Sequence, residues 1–78
     1  MTLRGKLERH FAERLKTLRA ERRLTQRKLA DLVGASASNV CYWETGRGLP
    51  HIWVLYRLAA ALGVELDDLL PSVGEMEQ

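Results

Sequence analysis

Between Thr25 and Thr45 the chain reads TQRKLADLVGASASNVCYWET, and this stretch restricts the fold more than any other. Leu29, Ala30, Leu32 and Val33 set an apolar stripe at helical spacing on a first segment. Gly34 supplies the left-handed backbone that ends it, and Ser36 can cap a second segment through its hydroxyl. Val40 and Trp43, three residues apart, share one face of that second segment and form its buried side. Ala30 is the small residue needed where two helices cross steeply over a short turn, because a long side chain would hold them apart.

Helical periodicity continues on both sides. Leu7, Phe11, Leu15 and Leu18 recur at four, four and three residues and predict a first helix over about 6–22, with Gly5 limiting how firmly residues 1–4 join it. After the short connection Arg22-Arg23-Leu24, Thr25 caps a helix over 26–33, and a third spans 37–45 up to Gly46. Arg47-Gly48-Leu49-Pro50 is a loop whose glycines let the backbone run close to another surface. A fourth helix over 52–62 turns Ile52, Leu55, Leu58, Ala59 and Leu62 inward and ends at Gly63. Residues 66–70 make a short fifth, with Asp67 and Asp68 near its positive end and Pro71 stopping it. Ser72 to Gln78 read as a disordered acidic tail.

Composition narrows the function classes. Seventy-eight residues suit one domain with one modest core. No apolar run approaches the roughly 20 residues of a membrane span, and the N-terminus has no apolar signal region, so a cytoplasmic, soluble protein is expected. A single cysteine, Cys41, excludes an internal disulfide framework, and no Cys/His cluster offers a metal site. No cofactor is expected. No carboxylate pair, nucleophile–base set or phosphate-cradling glycine loop stands at useful spacing, which argues against an enzyme. Charge is unevenly divided: residues 1–57 hold all 12 Lys and Arg with five acids, whereas 58–78 hold five acids and no Lys or Arg. A basic body with an acidic end suits a protein that lays one surface on phosphates.

Two helices crossing over a glycine turn, the second amphipathic and polar outward, are the anatomy of a helix-turn-helix that carries its second helix into a DNA major groove. Phe11, Arg14, Leu15, Leu18, Arg19, Leu24-Thr25-Gln26, Leu29-Ala30, Gly34, Val40, Glu44, Gly46, Pro50, Leu55, Leu58-Ala59, Leu62-Gly63-Val64 and Leu69-Leu70 fall in register from end to end. On these residues the chain resembles the Cro/repressor type of helix-turn-helix domain, the class of phage repressors and xenobiotic-response-element regulators. The resemblance implies an all-α, five-helix, lambda-repressor-like domain over 11–70, with 1–10 extending the first helix and 71–78 forming the tail. It implies double-stranded DNA as the partner, a homodimer on a near-palindromic operator, and work at a prokaryotic or phage nucleoid.

The resemblance also assigns residues. It places Gln26 on the DNA backbone, bracing a recognition-helix side chain, and Ala37, Ser38 and Tyr42 at base-reading positions with Asn39 at the adjoining edge. Ala37 can only touch a thymine methyl, Ser38 discriminates poorly, and Asn39 can bond adenine bidentately. Tyr42 can reach base edges or a phosphate. These short side chains lead us to expect specificity that leans partly on DNA shape. Arg47 stands where the family contacts the DNA backbone. Thr25, chiefly a cap, Arg27 and Lys28 flank Gln26 within reach of phosphates. Arg19 and Glu44 match a partly buried ion pair that holds the recognition helix. Leu66, Leu69, Leu70 and Val73 match the customary dimer face.

Trp53 and Tyr56 are the departure from the pattern, which usually has a polar residue at the position of Trp53. Either they form a partner or subunit contact, or the long first helix folds back over them. His51 can cap the fourth helix or touch DNA; His10 has no partner at metal or catalytic spacing. Cys41, beside Tyr42, lacks a resolving cysteine for a redox switch. Two functions compete: a dimeric transcription regulator, most simply a repressor of phage or restriction-modification-controller type, and an antitoxin-like protein-interaction module of the same fold.

Overall fold

Five α-helices make up the computed structural model, which describes residues 2–72 and Gly74: α1 Leu3–Glu21, α2 Gln26–Val33, α3 Ala37–Glu44, α4 Ile52–Leu62 and α5 Leu66–Leu69. The protein is all-α, with no strand among the described residues. Val73 and residues 75–78, on which one edge of the expected dimer face and most of the expected tail fall, lie outside the described residues.

The helix starts and stops are chemical. Thr2 caps α1 three residues earlier than the apolar periodicity indicates, its hydroxyl accepting the Gly5 N–H at 3.0 Å. Gly5 therefore lies inside the first turn rather than limiting the helix, because the cap offsets its weak propensity. Thr25 caps α2 by accepting the Lys28 N–H at 3.0 Å. Gly34, with φ of 72°, ends α2 and returns its N–H to the Ala30 carbonyl; Gly63, with φ of 70°, ends α4. α1 stops without glycine. Arg23 itself takes a left-handed φ of 55°, and the Leu24 N–H bonds back to the Arg19 carbonyl at 3.1 Å.

α2 packs on α3 and α4, α1 on α3 and α5, and α4 on α5. Phe11, Leu15, Leu29, Val40, Leu58 and Leu69 are wholly buried at the centre. Each such side chain removed from water contributes about 1.5–3 kcal/mol before the entropy of ordering is subtracted. Arginines tie the helix ends together: Arg14 Nε donates to the Asp68 carbonyl at 2.9 Å, Arg22 Nε to the Leu62 carbonyl, and Arg57 Nη1 to the Val33 carbonyl at 3.4 Å. These cations meet carbonyls near helix C-termini, where partial negative charge collects.

Two apolar residues expected inward face out. Leu32 is half exposed, because at roughly 100° per residue it falls beside the arc that Leu29, Ala30 and Val33 share. Ile52 is 51% exposed, standing in the first turn of α4 at the edge of the arc formed by Leu55, Leu58, Ala59 and Leu62. Leu69 corrects a third expectation. Assigned to a dimer face, it is wholly buried in the protein's own core, while Leu66 and Leu70 on either side are half-buried.

Candidate nucleic-acid interface

Ala35 and Ser36 complete the turn between α2 and α3. The Ala35 N–H reaches the Ala30 carbonyl at 2.9 Å, and Ser36 opens α3 with a reciprocal capping box. Its hydroxyl accepts the Asn39 N–H at 3.1 Å, while Asn39 Oδ1 accepts the Ser36 N–H at 3.2 Å and the Ser36 hydroxyl at 2.8 Å. Asn39 thus has a structural role beside the DNA contact expected of it. Its amide oxygen already accepts two bonds from Ser36, so bidentate adenine reading would give up that reciprocal half of the box, while the Ser36 hydroxyl keeps the Asn39 N–H.

α3 divides as its spacing requires. Val40 and Trp43 are buried, whereas Ser38, Cys41, Tyr42 and Thr45 are exposed and Ala37 is half-buried. Tyr42 is 49% exposed, yet it is not a free probe. Its hydroxyl donates to the Arg47 carbonyl at 3.3 Å, and its ring lies over Gly48 in the following loop. Arg27 and Lys28 on α2 and Arg47 after α3 are all exposed. Cys41 is a free, exposed thiol.

Behind that face sits the one polar or charged residue buried among those described, Glu44, at 7% exposure. Arg19 grips it with two parallel bonds, Nε to Oε2 at 2.7 Å and Nη2 to Oε1 at 3.0 Å, and sends Nη1 to the Leu24 carbonyl at 2.7 Å. Gln26 Nε2 adds a fourth bond, to Glu44 Oε1 at 3.0 Å. One carboxylate thus fastens α1, the start of α2 and the end of α3. The hydrogen bond to Glu44 is the chief reason that Arg19 holds its proton more firmly than an ordinary guanidinium; burial opposes it and the charge of Glu44 adds to it. Gln26 was expected to brace the recognition helix, and the side chain that it meets is this glutamate.

α4 carries the departure from pattern. Trp53 is 65% and Tyr56 60% exposed, so α1 does not fold back over them. His51 occupies the N-cap position of α4 without a side-chain capping bond. Its ring instead stacks on Trp53, with centroids 4.7 Å apart and planes inclined by 25°. Two features escaped the sequence: the arginine ties to helix ends and the Tyr42 contact with the loop. The glycine at position 48 was the available sign of the second, since it marks a close backbone approach.

The chain belongs to the helix-turn-helix domain family, whose pattern matches residues 10–72. Among individual proteins it is 38% identical over 69 residues to the HTH-type transcriptional repressor RghR of Bacillus subtilis, covering 87% of this chain and 51% of that protein. The chain therefore spans about half the length of that curated relative. Among solved structures, the restriction-modification controller protein C.AhdI from Aeromonas hydrophila superposes with a TM-score of 0.76 at 33% identity, over 81% of this chain and 91% of that one. Hydroxypropylphosphonic acid epoxidase from S. wedmorenis also superposes, with a TM-score of 0.80 at 32% identity, over 86% of this chain and 36% of the enzyme. Among the described residues no helix is long and apolar enough to cross a membrane.

Proposed function

We propose that this chain binds double-stranded DNA as a sequence-specific, dimeric transcriptional regulator, a repressor of phage or restriction-modification-controller type working at the nucleoid in the cytoplasm. The observation that carries the reading is α3 itself: Val40 and Trp43 inward, Ser38 and Tyr42 outward, with its C-terminal end fastened by Arg19 and Gln26 through Glu44. A rod so held presents a fixed face to a major groove. Ala37 and Ser38 meet base edges, Tyr42 meets the duplex from the side of the Arg47 loop, and Thr25, Gln26, Arg27 and Arg47 hold phosphates and set the register. Short readers leave part of the specificity to duplex shape. The relatives named as a transcriptional repressor and a controller protein support this reading. The likeness to the epoxidase covers about a third of that enzyme. In-vitro selection of bound duplexes tests the proposal. Half-sites about one helical turn, ~34 Å, apart support a dimer; enrichment of no sequence contradicts it.

The exposed His51–Trp53 stack beside Ile52 and Tyr56 supports a second reading, in which this side of α4 docks a partner protein as an antitoxin-like module does. DNA binding by the lone chain favours the first reading, and DNA binding only with a partner favours the second.

A further inference from the structure

Tyr42 and Gly48 fit together in a way that the DNA-reading assignment of Tyr42 does not explain. Gly48 is buried, and a Cβ built on it would lie 2.9 Å from Tyr42 Cε2 and 3.2 Å from the hydroxyl oxygen. Its φ is not among the left-handed values taken by Gly34, Gly46 and Gly63, so a side chain here would displace the tyrosine ring rather than strain the backbone. The hydroxyl reaches the Arg47 carbonyl at 3.3 Å, which is long for an O–H donor, so the ring contact is the stronger half of the pair. Tyr42 thus folds along the loop instead of projecting from α3.

We infer that Tyr42 is a positioning residue: it clamps the loop at Arg47 and Gly48 to the recognition helix and thereby sets where Arg47 meets the DNA backbone. The inference rests on the DNA-binding reading above. Donor accounting sharpens it. A tyrosine hydroxyl has one proton, and here it points to the Arg47 carbonyl. Phosphate oxygens, guanine O6 and N7 and thymine O4 are acceptors only, so a hydroxyl that donates to one of them gives up its long bond to the Arg47 carbonyl. The ring contact with Gly48 survives that exchange, because it needs no donor. Backbone register is thereby coupled to the recognition helix, because one side chain of that helix also touches the loop that carries Arg47.

The test compares Tyr42→Ala, which removes ring and hydroxyl, Tyr42→Phe, which removes the hydroxyl alone, and Gly48→Ala, which displaces the ring without altering α3. Melting temperature verifies folding, which exposure of Tyr42 should leave intact. Tyr42→Ala and Gly48→Ala are expected to weaken selected and random duplexes by the same factor, roughly three- to tenfold, the effect of loosening one phosphate contact. Tyr42→Phe follows in the same direction with a smaller loss. In the free protein, backbone amide order parameters at Arg47 and Gly48 fall in Tyr42→Ala. On an Arg47→Ala background, Tyr42→Ala adds nothing further. Loss confined to particular base pairs, unchanged order in the loop, or full additivity with Arg47→Ala overturns the inference alone. A wild-type chain that binds no duplex overturns the proposed function and this inference with it.

Discussion

Arg19 and Glu44, 25 residues apart in sequence, meet in a two-pronged ion pair with nitrogen–oxygen distances of 2.7 and 3.0 Å, and the carboxylate is buried. Removing the acid strands the guanidinium and releases the end of α3. Glu44→Ala should therefore cost on the order of 3 kcal/mol of stability, read from chemical or thermal denaturation. An unchanged melting temperature would refute the structural role of the pair. The proton on Arg19 is held more tightly in the folded state than in the unfolded chain. The stability linked to that proton is complete at every pH below the ordinary guanidinium range and is lost only in strong alkali. Denaturation curves at mildly acidic and neutral pH should show no change traceable to Arg19.

Burial separates two aromatic residues that composition treats alike. Phe11 is wholly buried, so Phe11→Ala should destabilise by about 3–5 kcal/mol through lost transfer energy and the cavity left behind. Trp53 is 65% exposed, and Trp53→Ser should move stability by no more than about 0.5 kcal/mol. Denaturant titration of both variants compares them directly. A large loss with Trp53→Ser would mean that the His51–Trp53 stack holds the start of α4.

Arg23 ends α1 in a left-handed conformation that costs a non-glycine residue about 1–2 kcal/mol. Arg23→Gly relieves that strain and adds unfolded-chain entropy, for a net gain of roughly 0.5–1 kcal/mol. A rise in melting temperature is the expected outcome. A fall would show that the Arg23 side chain contributes more than its backbone costs.

Arg47 is exposed, and its role in the proposed complex is electrostatic. Arg47→Ala should weaken selected and random duplexes about equally and flatten the salt dependence of binding by about one unit of slope. Titrations at several salt concentrations on both kinds of duplex measure this. Loss of selected binding alone would make Arg47 a base reader.

The helix order and most boundaries were legible because each boundary has local chemistry: Thr25 as a cap, Gly34 and Gly63 as left-handed stops, Val40 and Trp43 at one helical spacing. The start of α1 was misplaced because a cap by Thr2 outweighs the weak propensity of Gly5. Leu32, Ile52 and Leu69 went wrong for a different reason. An apolar residue at the margin of a stripe, or on a one-turn helix, is buried or not according to what another element places against it. Asn39 shows the same limit for polar groups. Its type suits adenine, and only the geometry reveals that Ser36 already holds its oxygen. Tyr42 was recognised as important, but its clamp on Gly48 depends on how the loop returns to α3.

Mapping amide chemical-shift changes on addition of a selected duplex addresses the central claim most directly. The account predicts changes concentrated at the start of α2, along Ser38 to Tyr42 and at Arg47, with α5 undisturbed. Changes centred on Trp53 and Tyr56 while α3 stays silent would contradict it.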